Sequence, residues 1–212
     1  MSVSAYTFGR FHYNMQRHFI SNLIDSNTVI RCVLLNNSYI PRQNRHDCFS
    51  APVWESGKNY NPGDYIKPTT PNGHLYLCID SGFSDSSEPG WPTTDGTTIS
   101  DNGAEWECIE NGDIGYYEIS GTGYSAGGKD ITGRSLSFAD GSTYFDGSDL
   151  VWQSATFTAS FAVVYDDTPG DDEAKKLIGY IDFGGERPVS SGDFKISWHT
   201  DGILATTAFQ EA

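Results

Sequence analysis

Six of the chain's nine prolines and three of its five tryptophans fall in one stretch, between Ala51 and Asn111. Proline fixes φ and removes a backbone donor, so such a density of proline favours short strands and loops and marks a separate compact unit. The flanking sequence has a different texture, with β-branched and aromatic runs separated by turns that contain glycine. The sequence therefore predicts one outer domain, residues 1–50 and 112–212, interrupted by a compact insert at residues 51–111.

The composition favours strands over packed helices. The 212 residues include 23 Gly, 12 Tyr and 12 Phe but only two Met, which fits many short strands joined by turns. One helix is expected over Tyr6–Leu23, where aromatic and aliphatic residues recur at three- and four-residue steps. We expect an all-β fold, an antiparallel β-sandwich or barrel with one N-terminal helix and a small inserted β module.

Strand-like runs recur through both parts of the chain. In the outer domain they are Thr28–Leu35, Ser135–Phe138, Ser142–Phe145, Leu150–Gln153, Thr156–Tyr165 and Lys176–Phe183. In the insert they are Asp64–Lys67, His74–Ile79 and Glu105–Ile109, and aromatic rings must supply most of the core of so small a unit. Asp201-Gly202 lies between Phe194–His199 and Ile203–Ala208 and predicts a C-terminal hairpin with a type I′ turn.

The charge balance bears on partners and compartment. With 28 acidic and 13 basic residues, the net charge of −15 disfavours binding to nucleic acid or to anionic membranes. No apolar run approaches the roughly 18 residues of a membrane span, and we expect assembly in a cytoplasm. The four cysteines form no CxxC pair, so no zinc pattern is present. Cys78 and Cys108 lie in strand-like runs and are open to two interpretations, buried free thiols or a disulfide.

The motifs of catalysis are mostly missing. Gly123–Gly127 matches G-x-S-x-G around Ser125, but the following residues are a poor helix start and His199 is the only downstream base. The five histidines show no metal-ligand spacing, and turn chemistry accounts for Asp140-Gly141, Asp146-Gly147 and Asp149 without calcium. We therefore predict no enzyme activity, no catalytic residue, no metal and no cofactor.

An S-G-T-G-Y-x-A-G-G run lies within Glu118–Gly128, outside the insert. This run is the most specific of a set of motifs by which the outer domain resembles a widespread family of small virion proteins of tailed bacteriophages. The resemblance gives the G-x-S-x-G match a structural interpretation. The other matching segments are Thr28–Leu35, Ser38–Pro41, His46-Asp47, Leu150–Trp152, Ala162–Tyr165, Leu177–Gly184, Gly192–Trp198 and Asp201–Leu204.

A second pattern lies within the insert and consists of Trp54, Tyr60–Tyr65, Gly73, Tyr76, Cys78, Pro89 and Trp91. By these residues the insert resembles the small aromatic modules that bind chitin or cellulose in secreted glycosidases. A sugar ring stacks its apolar face on an exposed aromatic ring, so the candidate contacts for a glycan or a protein partner are Trp54, Tyr65 and Trp91. The alternative for each ring is a place in the insert's own core.

These resemblances imply a non-catalytic structural protein of the virion. The first expectation is a capsid decoration or cement protein whose insert projects outward from the particle and binds glycans. The alternative is a tail, neck or baseplate accessory protein that acts in host-surface adhesion. The expected partners are the major capsid protein or other virion proteins, further copies of the chain in a homo-oligomer, and a polysaccharide.

Overall fold

The computed structural model describes residues 4–7, 22–42 and 48–207. The chain divides into two compact units, one of Met1–Phe49 with Ile114–Ala212 and one of Ser50–Asp113. We keep the names outer domain and insert for these units. The helix expected over Tyr6–Leu23 lies almost wholly outside the described residues. Its first two residues, Tyr6 and Thr7, belong to a strand, so the expected helix start is wrong.

The strands are numbered in chain order over the described residues, which also include one short helix. They are β1 (Ser4–Thr7), β2 (Ile30–Leu35), β3 (Asn59–Tyr60), β4 (Tyr65–Ile66), β5 (His74–Asp80), β6 (Gly82–Phe83), β7 (Thr98–Asp101), β8 (Ala104–Glu110), α1 (Ile114–Tyr117), β9 (Lys129–Asp130), β10 (Ser135–Ala139), β11 (Ser142–Asp146), β12 (Leu150–Asp166), β13 (Leu177–Ile196) and β14 (Leu204–Thr207).

The described strands of the outer domain form two antiparallel sheets. One has five strands in the order β1-β13-β12-β2-β9, and the other has three in the order β10-β11-β14. The expected all-β, antiparallel and sandwich-like character is confirmed. Within the described ranges, no helix is long and apolar enough to cross a membrane.

Strand β2 is buried on both faces, as its continuous apolar sequence predicts. Ile30, Cys32 and Leu34 are 0% exposed and pack into one core. Phe145 of β11 and Trp152 of β12 belong to the same core, which therefore joins the two sheets of the outer domain. One face of the five-stranded sheet is therefore apolar and is covered by this core.

The second core lies on the opposite face of the same sheet. Val33 and Leu35 of β2 pack there with Tyr39, Phe49 and Ile114. Phe49 immediately precedes the insert and Ile114 immediately follows it. The second core is thus built from chain on both sides of the interruption.

Strands β12 and β13 are longer than the sequence predicts. They span 17 and 20 residues and pair as one antiparallel hairpin, where separate strands were expected at Leu150–Gln153 and Thr156–Tyr165. Ser154 and Ser191 both adopt φ of 50°, and the pairing register shifts between Trp152 and Ala155. A bulge of this kind bends a strand without ending it. The sequence around Ser154 was therefore wrongly interpreted as the end of a strand at Gln153.

The prediction of a C-terminal hairpin is wrong about the strand with which β14 pairs. The N–H of Gly202 donates to the carbonyl of His199 at 2.8 Å, so a turn does form, but β14 pairs with β11. Of Asp201 and Gly202, only Gly202 has positive φ, at 85°. The type I′ geometry belongs instead to Asp140-Gly141, with φ of 50° and 74°, which joins β10 to β11.

The insert is built on a four-stranded antiparallel sheet in the order β4-β5-β8-β7, with β3 and β6 forming a separate pair. One face of the sheet carries its larger core. That core consists of Trp54, Tyr60, Ile66, Tyr76, Cys78, Ala104, Trp106 and Cys108. The opposite face carries a smaller cluster of Ala51, Leu75 and Ile109. Aromatic rings dominate the larger core, as the shortage of aliphatic residues predicts.

Each unit holds the two chain ends of the interruption together. In the outer domain, the N–H of Ile114 donates to the carbonyl of Phe49 at 2.9 Å. In the insert, Ser50 Oγ lies 2.9 Å from Asp113 Oδ2, and Lys67 Nζ lies 3.1 Å from the same carboxylate oxygen. The ends therefore meet within the outer domain and again within the insert.

We expect the outer domain to fold without the insert. Replacing Ser50–Asp113 with a short Gly-Ser linker should leave a protein that melts in one cooperative transition, because both outer-domain cores and the Phe49–Ile114 hydrogen bond are retained. A longer deletion that also removes residues 114–119 takes Ile114 and Ile119 out of those cores and should abolish the cooperative transition. Calorimetry of both variants checks the expectation, and a non-cooperative melt of the first would contradict it.

Candidate functional site

Trp54 lies in the core of the insert. Its side chain is 7% exposed, and its Nε1 donates to Asp101 Oδ2 at 2.8 Å. The same oxygen accepts the Nε1 of Trp106 at 3.2 Å, and Asp101 Oδ1 accepts the N–H of Asp85 at 2.8 Å. These bonds satisfy a buried carboxylate that otherwise costs several kcal/mol. The burial of Trp54 favours the alternative of a place in the insert's own core over that of a contact residue.

Tyr65 lies on the other face of the insert's sheet. It precedes Ile66 in β4, and successive side chains of a strand point to opposite faces. Ile66 is in the aromatic core, whereas Tyr65 is half-buried against the smaller cluster with Leu75. The structure therefore does not bring Tyr65 and Trp91 together on one surface.

Trp91 is the candidate that remains accessible. It is half-buried, with its ring 4.3 Å from that of Tyr76 at an interplanar angle of 36° and edge-on to Trp106 at 6.0 Å. Its Nε1 donates to Glu88 Oε1 at 2.8 Å. One side of the indole is thus held by packing and by a hydrogen bond, and the ring is fixed in one orientation while part of it meets solvent.

Glu88 bonds to Trp91, and Asn72 bonds to Tyr76, on which the Trp91 ring stacks. Glu88 also accepts hydrogen bonds from the Thr69 N–H, at 2.9 Å, and from the Thr69 hydroxyl. Burial would raise the pKa of Glu88, but these bonds and the one from Trp91 hold it below its ordinary value. Asn72 Nδ2 donates to the hydroxyl of Tyr76 at 2.7 Å. An aromatic ring beside a charged carboxylate and an amide is an arrangement that can stack a sugar and orient its hydroxyls.

Phe83 is an exposed ring that the sequence analysis did not single out. Its side chain is 59% exposed, more than that of any other large hydrophobic residue described in the insert. It stands in the polar run Ser81–Ser87, where an apolar ring has no apolar neighbour along the chain to pack against. This isolation among polar residues is the feature of the sequence from which the exposure of Phe83 could have been predicted.

The structure also assembles a cluster of ligand-type side chains that no sequence spacing indicated. A ligand atom of His74, of Asp95 and of Cys108 all lie within 4.8 Å of one another. Burial and the nearby Asp95 raise the pKa of the Cys108 thiol, and a hydrogen bond with Tyr76 opposes them. Among the described residues this is the one such group of three, and the turn aspartates around Asp140 form none.

The two cysteines of the insert are free thiols, as is Cys32. Cys108 is paired across the sheet with Tyr76, and Cys78 is paired with Trp106, so the cysteines are diagonal neighbours. Diagonal positions lie about 7–8 Å apart, too far for the Cβ separation of about 3.5–4.5 Å in a disulfide. Of the two interpretations left open by the sequence, the structure has the free thiols.

Ser125 is exposed in a turn whose neighbours hold the loop in place. Glu118 Oε1 accepts the hydroxyl of Tyr124 at 2.7 Å and the N–H of Gly127 at 2.6 Å. The Tyr124 hydroxyl in turn accepts the N–H of Leu34 at 3.1 Å. The G-x-S-x-G segment is therefore tied to the end of β2 by its tyrosine and by a backbone amide rather than by the serine.

The glycine run lies directly against β2 and its neighbours. Gly128 has φ of 72°, and a Cβ there would stand 2.0 Å from the carbonyl oxygen of Cys32, so no larger residue fits. The hydroxyl of Tyr165 donates to the carbonyl of Gly127 at 2.9 Å, and Arg31 donates to that of Gly128 at 3.1 Å. The run presents carbonyls to its own domain, which is the opposite of a phosphate cradle made of N–H groups.

No family model, no curated protein and no solved structure matches the chain. The fold itself defines the class, an all-β protein whose sandwich-like outer domain is interrupted by a small β insert with an aromatic core.

We expect minimal substitutions at Tyr124 and Ser125 to differ in their effect on stability. Tyr124→Phe removes the hydroxyl between the Glu118 carboxylate and the Leu34 amide, and should lower the free energy of unfolding by about 1–3 kcal/mol. Ser125→Ala, one residue away but exposed, should change it by less than about 0.5 kcal/mol. Urea denaturation of both variants measures the difference. Equal effects of the two changes would refute the structural account of the motif.

Proposed function

We propose that the chain is a non-catalytic structural protein of a tailed-bacteriophage virion, a capsid decoration or cement subunit whose insert binds glycan through Trp91. The observation that carries the proposal is that the Glu118–Gly128 motif anchors its loop on β2. Its tyrosine, glycines and glutamate all serve to anchor one loop on β2. The motif that resembles the phage proteins therefore has a structural explanation, in which Ser125 takes part through its backbone carbonyl, the acceptor of the Gly128 N–H at 3.0 Å.

An edge strand supports an assembling protein with further copies of the chain as its partners. Strand β10 lies at the edge of the three-stranded sheet, and all five of its residues are exposed. Leu136 and Phe138, 49% and 74% exposed, point to the same side because they are two residues apart. An unpaired edge is a template for another strand, and an antiparallel strand can pair with its own copy across a two-fold axis.

The net charge of −15 suits a protein present in many copies. Like charge on separate molecules keeps them soluble at high concentration before they meet their particle. The same charge favours a shell surface with basic groups over nucleic acid as the partner. A major capsid protein with such a surface is the partner we propose for the outer domain.

The second candidate function is a tail, neck or baseplate accessory protein that acts in adhesion to the host surface. The accessible Trp91 ring, with Glu88 and Asn72 close by, favours it, because a cell surface is rich in sugars. Both functions use the insert in the same chemical way. They differ in where the chain sits on the particle and in how many copies are present.

An averaged map of intact particles distinguishes the two functions. Density that disappears from particles lacking the chain should form a regular lattice over the shell, with β10 of one copy against a neighbouring copy. A few copies at the tail would instead support the adhesin. Absence of the chain from purified particles, checked by mass spectrometry, would exclude both.

We expect the insert to retain polysaccharide through Trp91. Trp91→Ala should reduce retention of the full chain on insoluble chitin or cellulose, with a lost stacking contact of about 0.5–1.5 kcal/mol. Trp91→Phe keeps an aromatic face on Tyr76 and should retain more than the alanine variant. Phe83→Ala removes another exposed ring of the insert and is the matched control, with retention unchanged.

Melting curves of the same variants separate binding from folding. Trp91 packs on Tyr76 and Trp106, so its alanine variant should also melt lower, whereas the phenylalanine variant should melt close to the unaltered chain. If the unaltered chain is not retained by either polysaccharide, the glycan proposal for Trp91 is wrong. If Phe83→Ala alone abolishes retention, the platform is Phe83.

A further inference from the structure

We propose that His74, Asp95 and Cys108 form a zinc site in the insert. The three side chains contribute three different ligand types, an imidazole nitrogen, a carboxylate oxygen and a thiol sulfur. Their ligand atoms all lie within 4.8 Å of one another. The inference is independent of glycan binding and of the location of the chain in a particle, because it rests on this geometry alone.

The backbone of the insert fixes all three positions. In the pairing of β5 with β8, Tyr76 is opposite Cys108 and His74 is opposite Glu110, which makes His74 and Cys108 diagonal neighbours on one face. The turn that carries Asp95 is clamped to Cys108, since the N–H of Gly96 donates to the Cys108 carbonyl at 2.8 Å. The Cys108 N–H donates to the Thr97 carbonyl, also at 2.8 Å. A site on paired strands and a clamped turn needs little reorganisation to bind an ion.

The imidazole of His74 gives the second line of evidence. Its Nδ1 is shielded from solvent and makes no hydrogen bond, although Asp95 Oδ1 is only 3.3 Å away. A shielded nitrogen that makes no hydrogen bond is rare and costly. In a tetrahedral site with bonds of about 2.0–2.1 Å, neighbouring nitrogen and oxygen ligands stand about 3.3–3.4 Å apart. The observed spacing of 3.3 Å equals that of two ligands of one tetrahedral ion, although a direct ion pair also has it.

The ligand set selects the metal. Thiolate with imidazole favours zinc over magnesium or calcium, which take oxygen ligands. Three protein ligands leave one tetrahedral position for water, and the Asp95 side chain is 53% exposed, which gives the ion a path from solvent. Cys108 is buried at the inner end of the site, and it binds as the thiolate after releasing its proton to water.

A metal here stabilises a module that is too small to rely on its core alone. Domains of this size commonly need a metal or a disulfide, and both cysteines of the insert are free thiols. The ion would tie the Asp95 turn to β5 and β8. Pro92, three residues before Asp95, accepts a hydrogen bond from the Tyr76 hydroxyl at 2.8 Å. The site therefore lies beside the loop that carries Trp91.

Cobalt(II) is the probe for this site in the full chain, reduced and freed of metal by a chelator. One equivalent should produce the intense near-ultraviolet band of thiolate-to-cobalt charge transfer and the visible bands of a tetrahedral ion. Zinc should displace the cobalt and bleach both. Zinc in excess over its Kd should also raise the melting temperature, because it binds only the folded site.

Variants assign the ligands. Cys108→Ser should abolish the charge-transfer band. Asp95→Asn should weaken cobalt binding by more than about tenfold, since loss of even a hydrogen-bond partner of a ligand costs 10–100-fold. Glu107→Gln is the matched control, because Glu107 adjoins Cys108 in β8 but pairs with Leu77 and points to the opposite face. Cys78→Ser is the control for a buried thiol outside the cluster.

The outcomes are decisive even if Cys108→Ser fails to fold. Asp95 is largely exposed, so Asp95→Asn should fold normally, and unchanged cobalt affinity in that variant would overturn the proposal. So would the absence of a charge-transfer band in the unaltered chain at one equivalent. A band that survives Cys108→Ser, or that disappears in Cys78→Ser alone, would place the thiolate elsewhere and also exclude the site.

Discussion

The pairing of β2 with β12 is the constraint on which the outer domain depends. It runs from Leu35 opposite Phe161 to Ile30 opposite Asp166, and so joins a segment before the insert to one far after it. Because this pair is apolar on both faces, each face must be covered, and the two cores supply the cover. The glycine run lies against this buried strand, where a Cβ on Gly128 would stand 2.0 Å from the carbonyl oxygen of Cys32.

A single buried carboxylate organises the insert in a comparable way. Asp101 is 2% exposed and accepts hydrogen bonds from the indoles of both Trp54 and Trp106. Two large rings are thereby placed in the core with their polar edges satisfied. The same arrangement leaves Trp91 at the margin, bonded to Glu88, where its ring is fixed but partly open to solvent.

The sequence predicted those features that local chemistry determines. The continuous apolar run at Thr28–Leu35 gave a doubly buried strand, and the density of proline and tryptophan marked the insert. The sequence did not distinguish Trp54 from Trp91, because both stand near proline and only tertiary contacts bury one of them. Asp201-Gly202 specified a turn, but the partner of the following strand depends on distant β11. The ligand cluster around Cys108 was invisible because its spacing follows from strand register, which no motif encodes.

The hydrogen bond from Ile114 to Phe49 has a consequence for how such a chain can change over evolution. The outer domain itself holds Phe49 and Ile114 together. A segment inserted between them is a loop with fixed ends, and its insertion costs the entropy of closing that loop. That entropy grows only slowly with the length of the loop. The position between these two residues is therefore an insertion site. One inserted domain can be exchanged there for another of different size while the outer domain keeps its sequence and its contacts.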